Sequence, residues 1–310
     1  MLVINRNPNK PVIGLRRVME FGFSYSNHFV DRGGYGHVLV QKGRNGRRIA
    51  IKVDNEGTYE SEYGNIFIGR EAKALLRFDH PNIIACLGWG KYYRNRRISD
   101  EQRLFLALEF IGKRKSANEY VEGSNDKIST AIYLLEKIAG ALAYIHDLGW
   151  DHADLSIQNI IGKGRIIKLI DFAWARKEGE RIYPEKGNWV CGVPAYWSLS
   201  RLKKNPPTRA DDIHALGILA CELLIGKVIQ IRTDNLIRRI NEGLSDEETF
   251  ENAQRETEEK IKASGLPEPI KDLLRGMIGA GGRKQFTDCH EMLGSIENIR
   301  REMLSLRSPL

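Results

Sequence analysis

His152-Ala153-Asp154-Leu155-Ser156-Ile157-Gln158-Asn159, followed by Asp171-Phe172-Ala173, is the stretch on which the reading of this chain turns. Asp154 and Asn159 lie five positions apart, and Asp171 comes twelve residues after Asn159. An acid that can orient a hydroxyl, an amide oxygen and a second acid able to hold magnesium are the working parts of a phosphoryl-transfer site. Each has an ordinary alternative as a turn acid or a capping asparagine. The order of the surrounding residues decides between the two.

Upstream, Val30-Asp31-Arg32-Gly33-Gly34-Tyr35-Gly36-His37-Val38 leads into an apolar strand, and Arg48-Ile49-Ala50-Ile51-Lys52-Val53 forms a second. Glycines at such a hairpin tip let backbone N–H groups approach phosphate oxygens where a Cβ would collide. Alone, the three glycines read equally well as a flexible tip. Lys52 follows Ala50 and Ile51 in a strand that should be mostly buried, and a buried lysine needs a charged partner. Glu71 is the candidate, at the edge of the apolar face formed by Ile68, Ala72, Leu75 and Leu76 on a helix that ends before Pro81. Strands are expected at Ala85 to Gly88 and Leu104 to Phe110.

With these residues in order, the chain resembles the eukaryotic-type protein kinases. Gly33-x-x-Gly36-x-Val38, Ala50-Ile51-Lys52, Glu71 ten residues before Pro81, Asp154-x-x-x-x-Asn159 and Asp171-Phe172 follow the family's sequence of motifs. Gly192-Val193-Pro194-Ala195-Tyr196 and Asp212-x-x-x-x-Gly217 continue it, so the resemblance covers about residues 25–295. It implies an α+β, bilobal fold. Residues 1–111, with an extension over 1–24, would form a small lobe with a twisted antiparallel sheet and one helix; residues 112–310 would form a larger, mainly helical lobe. It also implies ATP and Mg2+ as cofactors and a protein hydroxyl as acceptor. Asp154 would receive the hydroxyl's hydrogen bond, and Asn159 and Asp171 would hold magnesium. Lys52, anchored by Glu71, would hold the α- and β-phosphates. Gly33, Gly34 and Gly36 would cover the phosphates, and Val38, Ala50 and Ile161 would sandwich the adenine. Leu108 would guard the deep pocket, with the backbone of Glu109 to Ile111 holding the ring. His152, Phe172 and Leu75 would stack as an apolar spine tied down by Asp212.

Departures from the family pattern carry their own expectations. Asp31 replaces the first glycine of the loop and should point away from phosphate. Ala153 replaces the arginine that pairs with a phosphorylated activation loop. Tyr183 is the only hydroxyl side chain between Ala173 and Cys191, so loop phosphorylation is not expected to control activity. Ser156 replaces a lysine beside the γ-phosphate; Arg176 or Lys177 are candidates to supply that charge. Ser198-Leu199-Ser200 stands where the family has Ala-Pro-Glu, so the segment must be anchored differently. Tyr196 keeps the serine/threonine pattern. A nucleotide-binding scaffold without turnover and a small-molecule phosphotransferase of the aminoglycoside or choline type are the competing readings.

The bulk numbers agree with a globular chain of 310 residues, 42% hydrophobic and 28% charged. Net charge is +8, in small clusters such as Arg47-Arg48 and Lys113-Arg114-Lys115, without the stripe or reading motif that nucleic-acid binding needs. No membrane contact is expected, because no apolar run reads as long enough to cross one, and the first eleven residues lack a signal-peptide core. Cys86, Cys191, Cys221 and Cys289 are widely spaced and read as free thiols of a reducing, cytoplasmic setting. Helices are expected over Ile128 to Ile145, Ile213 to Ile225 and around Met292 to Met303. Asp246 to Lys262, with i,i+4 pairs Glu251–Arg255, Glu256–Lys260 and Glu258–Lys262, reads as a solvated helix. Asp54 to Asn65 and Tyr92 to Arg103 read as exposed loops.

Overall fold

The computed structural model describes residues 29–33, 36–42, 46–54, 61–95, 99–180, 193–226 and 228–305. Gly34, Tyr183, Cys191, Gly192 and the side chain of Asp31 lie outside the described residues. The chain divides into two compact units, residues 1–113 with 171–174, and residues 114–170 with 175–310.

The first unit is a five-stranded antiparallel sheet with one helix. Its strands are β1 (Phe29–Gly33), β2 (Gly36–Lys42), β3 (Arg48–Asp54), β4 (Cys86–Asn95) and β5 (Ser99–Glu109), in the order β1-β2-β3-β5-β4. Helix α1 (Ser61–Leu75) packs on β3 and β5. Register sorts the side chains. Val38 lies opposite Lys52, and Lys52 opposite Leu106; Val40 lies opposite Ala50, and Ala50 opposite Leu108. Directly opposed residues share a face, so Val38, Ala50, Lys52 and Leu108 all project from one side. The other side carries Ile51, Phe105 and Ala107, packed with Leu39, Ile49, Val53 and Leu87.

Two expected loops are corrected here. Tyr92 to Arg103 is largely strand: Tyr92 pairs with Arg103, Tyr93 with Gln102 and Asn95 with Ser99. Backbone pairing satisfies N–H and C=O groups whatever the side chains are, so the polarity of this stretch misled. Of Asp54 to Asn65, residues 55–60 lie outside the described residues; from Ser61 on the stretch is helix α1, and Asn65 Oδ1 accepts from the Leu104 backbone N–H at 2.7 Å.

The second unit is mainly helical. It contains β6 (Lys115–Ser116), α2 (Ala117–Glu122), α3 (Lys127–Asp147), β7 (Trp150–Asp151), β8 (Ile160–Lys163), β9 (Ile166–Leu169) and β10 (Arg176–Lys177). Then come α4 (Leu199–Leu202), α5 (Arg209–Ile225), α6 (Val228–Glu242), α7 (Asp246–Ala263), α8 (Glu268–Ile278) and α9 (Cys289–Ser305). The short strands pair as β6-β8-β9 and β7-β10. Capping residues set the helix starts: Asp126 accepts from Ser129 N–H, and Ser116/Glu119, Thr208/Asp211 and Ser245/Glu248 form capping boxes.

Helix α3 amends one expectation. It is long and apolar enough to cross a membrane, but 61% of its most apolar stretch is buried within the protein. Alanine, leucine and isoleucine at Ala131, Leu134, Leu135, Ile138 and Leu142 are fully buried, so it is a core helix. Helix α5 is buried along most of its length, and Gly217 lets α8 approach it: a Cβ there would meet Met277 Cβ at 2.7 Å. Helix α7 is not the solvated helix expected. Thr249, Ala253, Thr257 and Ile261 are buried, Glu258 pairs with Arg275 at 3.1 Å, and Glu256 turns to Asn235 and Arg238. Only the Glu258–Lys262 contact matches the expected i,i+4 set, at 3.7 Å. Apart from Ile261, the buried positions of α7 are alanine, threonine and glutamate, which hid its buried face.

Candidate active site

In the first unit, β3 presents Lys52 and α1 presents Glu71, and Lys52 Nζ lies 2.7 Å from Glu71 Oε2. Asp171 joins them, its Oδ1 2.9 Å from the same ammonium. Lys52 is 8% and Glu71 1% exposed, so water does little to screen that pair, while Asp171 is half-buried. Burial works against the charge on Lys52, but Asp171 and Glu71 more than reverse it and hold the pKa above the usual lysine value. Burial raises the Glu71 pKa, against the pull of Lys52 and with help from Asp171. Lys52 is the firm charge of the three: one ammonium between two carboxylates.

Asp171 has φ of 62°, a left-handed conformation that aspartate tolerates better than most residues. Phe172 is fully buried, its ring 5.4 Å from that of Phe78, and Trp174 sits 4.8 Å from Phe67. Phe78, Phe67 and Trp174 were not anticipated; isolated aromatics carry no pattern that marks them. At the end of β5, Glu109 is clamped to Ala85, its backbone N–H donating to Ala85 O at 3.0 Å and its Oε1 accepting from Ala85 N–H at 2.8 Å. Ile111 is buried beyond it. Gly33 pairs with Gly36 across the end of the β1–β2 hairpin.

In the second unit, the loop between β7 and β8 carries Asp154 and Asn159. Asn159 Nδ2 donates to the Asp154 backbone carbonyl at 2.7 Å, which closes the loop. Asp212, from the first turn of α5, holds the loop from below. Its carboxylate accepts from the backbone N–H groups of His152 (2.8 Å) and Ala153 (2.9 Å) and bonds His146 Nε2 at 3.0 Å. These bonds fix Ala153 at φ 64°, a conformation that alanine adopts only under constraint. Burial opposes the Asp212 charge, but His146 and the loop N–H of His152 overcome it, and its pKa lies below the usual carboxylate value. Ile161, expected against the adenine, is buried in β8, opposite Ser116 and Lys168.

Arg176 does not supply the charge missing at Ser156. It is 1% exposed, paired across strands with Asp151, and its guanidinium donates to the Pro207 carbonyl. Ser156 itself is buried. Asp151, fully buried, was also missed; burial, reinforced by Asp212, pushes its pKa up to about 7, against His146 and Arg176.

The segment beyond the undescribed stretch is anchored without a glutamate at Ser200. Tyr196 Oη donates to Glu222 Oε2 at 2.7 Å and accepts from Ile157 N–H at 3.4 Å, in the same loop as Asp154. Ser198 Oγ bonds Asp211. Val193, Tyr196, Trp197 and Arg201 line one pocket with Asp154. Cys86, Cys221 and Cys289 are free thiols, and burial pushes Cys86 up to about 11 and Cys221 up to about 12.

Comparison with known proteins bears on this arrangement. A family model described as protein kinase domain matches residues 26–295. The chain is 28% identical over 200 residues to a cAMP-dependent protein kinase, catalytic subunit-like, of Caenorhabditis briggsae, covering 64% of this chain and 49% of that protein. It is 29% identical over 198 residues to an Aurora kinase of Dictyostelium discoideum (63% and 48%). With the calcium/calmodulin-dependent protein kinase type 1 of Macrobrachium nipponense it shares 24% identity over 254 residues (80% and 66%). The chain spans about half the length of the first two of these relatives. With the family match covering most of its length, the chain belongs to the protein kinase domain family.

Proposed function

We propose that this chain transfers the γ-phosphate of ATP to a serine or threonine hydroxyl of a protein. The observation that carries the reading is the buried Lys52–Glu71 pair joined by half-buried Asp171, in one chain with the Asp154–Asn159 loop that Asp212 clamps. Lys52 binds α- and β-phosphate oxygens, and Glu71 keeps its ammonium from swinging away. Val38 and Ala50 lie on the Lys52 face of the sheet and supply apolar contact to the adenine, with Ile111 and Ile161; Gly33, Gly34 and Gly36 cover the phosphates. Asp154 accepts the hydrogen bond of the acceptor hydroxyl and aims its oxygen.

Asn159 and Asp171 would hold magnesium. Their donors are hard oxygens, one of them a carboxylate, which is the set magnesium takes beside nucleotide phosphates. When bound, the ion neutralises charge across the β- and γ-phosphates. Tyr196 supports the serine/threonine reading, as do relatives named for serine/threonine kinases. The three described free thiols support a reducing, intracellular setting.

One observation favours a second reading, a nucleotide-binding scaffold with little turnover. Ser156 brings no charge to the γ-phosphate and Arg176 is committed to Pro207. Retention of Lys52, Asp154 and Asp171 weighs against it. Phosphoamino-acid analysis of a histone mixture labelled by the purified chain tests the first reading. Phosphoserine or phosphothreonine is expected. Label only on aminoglycosides or choline, offered in parallel, would overturn it.

A further inference from the structure

Arg232, on α6, is 4% exposed, and no carboxylate accompanies it among the described residues. Its Nε donates to the Ala195 carbonyl and its Nη2 to the Trp197 carbonyl at 2.7 Å. The same Nη2 reaches His214 Nε2 at 3.4 Å, and the guanidinium lies 5.7 Å from the Phe250 ring centre. Its Nη1 is buried without a partner. Burial lowers its pKa to about 10, so it stays charged at neutral pH. Burial and Arg232 together hold His214 well below the ordinary histidine pKa, as the neutral ring that can accept from the arginine.

A buried cation held by dipoles alone is costly, and an apolar side chain would fill the space more cheaply. What this one holds is therefore informative. Ala195 and Trp197 flank Tyr196, whose hydroxyl bridges Glu222 and the Ile157 N–H of the Asp154 loop. Trp197 also lies 5.3 Å beneath the Arg201 guanidinium, and both line the pocket that holds Asp154. No acid stands at Ser200 to anchor this segment.

We propose that Arg232 is the positioning residue for the acceptor side of the site: by fixing the carbonyls of Ala195 and Trp197 it sets the wall against which a polypeptide is held beside Asp154. The proposal rests on the protein kinase reading. Arg232 touches neither nucleotide nor acceptor and acts through the 195–197 turn.

The test uses the full chain with Arg232→Met and, as the charge-keeping variant, Arg232→Lys. Initial rates are measured with MgATP and histone each varied. In Arg232→Met, kcat/KM for histone should fall by about tenfold or more, as misplacement of a positioned reactant predicts. KM for MgATP should not change, and Arg232→Lys should recover part of the loss. Amide hydrogen exchange at Tyr196 and Trp197, which donate to Val193 O and Pro194 O, should accelerate in Arg232→Met. An unchanged histone KM and kcat in folded Arg232→Met, or a parallel rise in the MgATP KM, overturns the proposal. If the wild type transfers no phosphate at all, the kinase reading fails by itself. Exchange then decides the anchoring, and unchanged protection at Tyr196 and Trp197 overturns it. Should Arg232→Met not fold, Arg232→Lys and wild type give the same comparison.

Discussion

Ala153 shows how a single position can hold strain for the sake of its neighbour. At φ 64° it is in a conformation that costs an L-residue about 1–2 kcal/mol, and Asp212 holds it there through its N–H. Ala153→Gly is expected to raise stability by up to about 1 kcal/mol, and Ala153→Val to lower it by more than that. Urea unfolding checks both signs. Asp151 makes a different residue-scale prediction. Its folded pKa of about 7 lies above the unfolded value of 3.8, in a cluster with Asp212, His146, Arg176 and Glu178. A raised acid contributes stability that is present below the unfolded value and lost as pH rises through the folded one. The stability of Asp151→Asn relative to wild type should therefore increase between pH 4 and about 7, then level off. Denaturation midpoints across that range read it directly; a flat difference would contradict the assignment. At this scale the reading from sequence reached Lys52, Glu71 and Asp212 because the family resemblance implied partners for them. It missed Asp151 and Arg232, since a lone charged residue in a short strand or helix ordinarily points to water.

Between α5 and α8 the contact depends on Gly217. An added Cβ would come within 2.6 Å of Ile278 Cγ2 and 2.7 Å of Met277 Cβ, neither a flexible side-chain end. Gly217→Ala is expected to destabilise the second unit by about 1–3 kcal/mol through overpacking. Gly140 on α3 is the control, because a Cβ there meets nothing within 4 Å. Gly140→Ala should stabilise by about 0.5–1 kcal/mol, and thermal midpoints of the two variants should move in opposite directions. Elements with a strong apolar period were legible: α3, α5 and α9 fall where the pattern put them. The β4–β5 hairpin was not, because backbone pairing leaves no trace in polar side chains. The buried face of α7 was hidden for a related reason. Ile261 is its one large apolar residue, threonines and alanine fill the rest, and Glu258 is buried where Arg275 comes from α8 to meet it.

Across the whole chain, seven motifs in one order carry the family resemblance, whereas any single motif leaves the alternatives level. The departures were also legible as departures, but not their replacements. Arg176, a candidate for the phosphates, is bound to Pro207, and the different anchoring that Ser200 called for comes from Arg232, Glu222 and Asp211. Those replacements lie far apart in sequence and only folding brings them together. Asp154 is proposed to serve phosphate transfer to protein. The most direct measurement is transfer from γ-labelled ATP to histone by purified wild type and by Asp154→Ala, with magnesium and without a second kinase. Label is expected on the protein with wild type, and its loss in a folded Asp154→Ala that still binds MgATP. Equal transfer by both proteins, or none by wild type while nucleotide is bound, would contradict it.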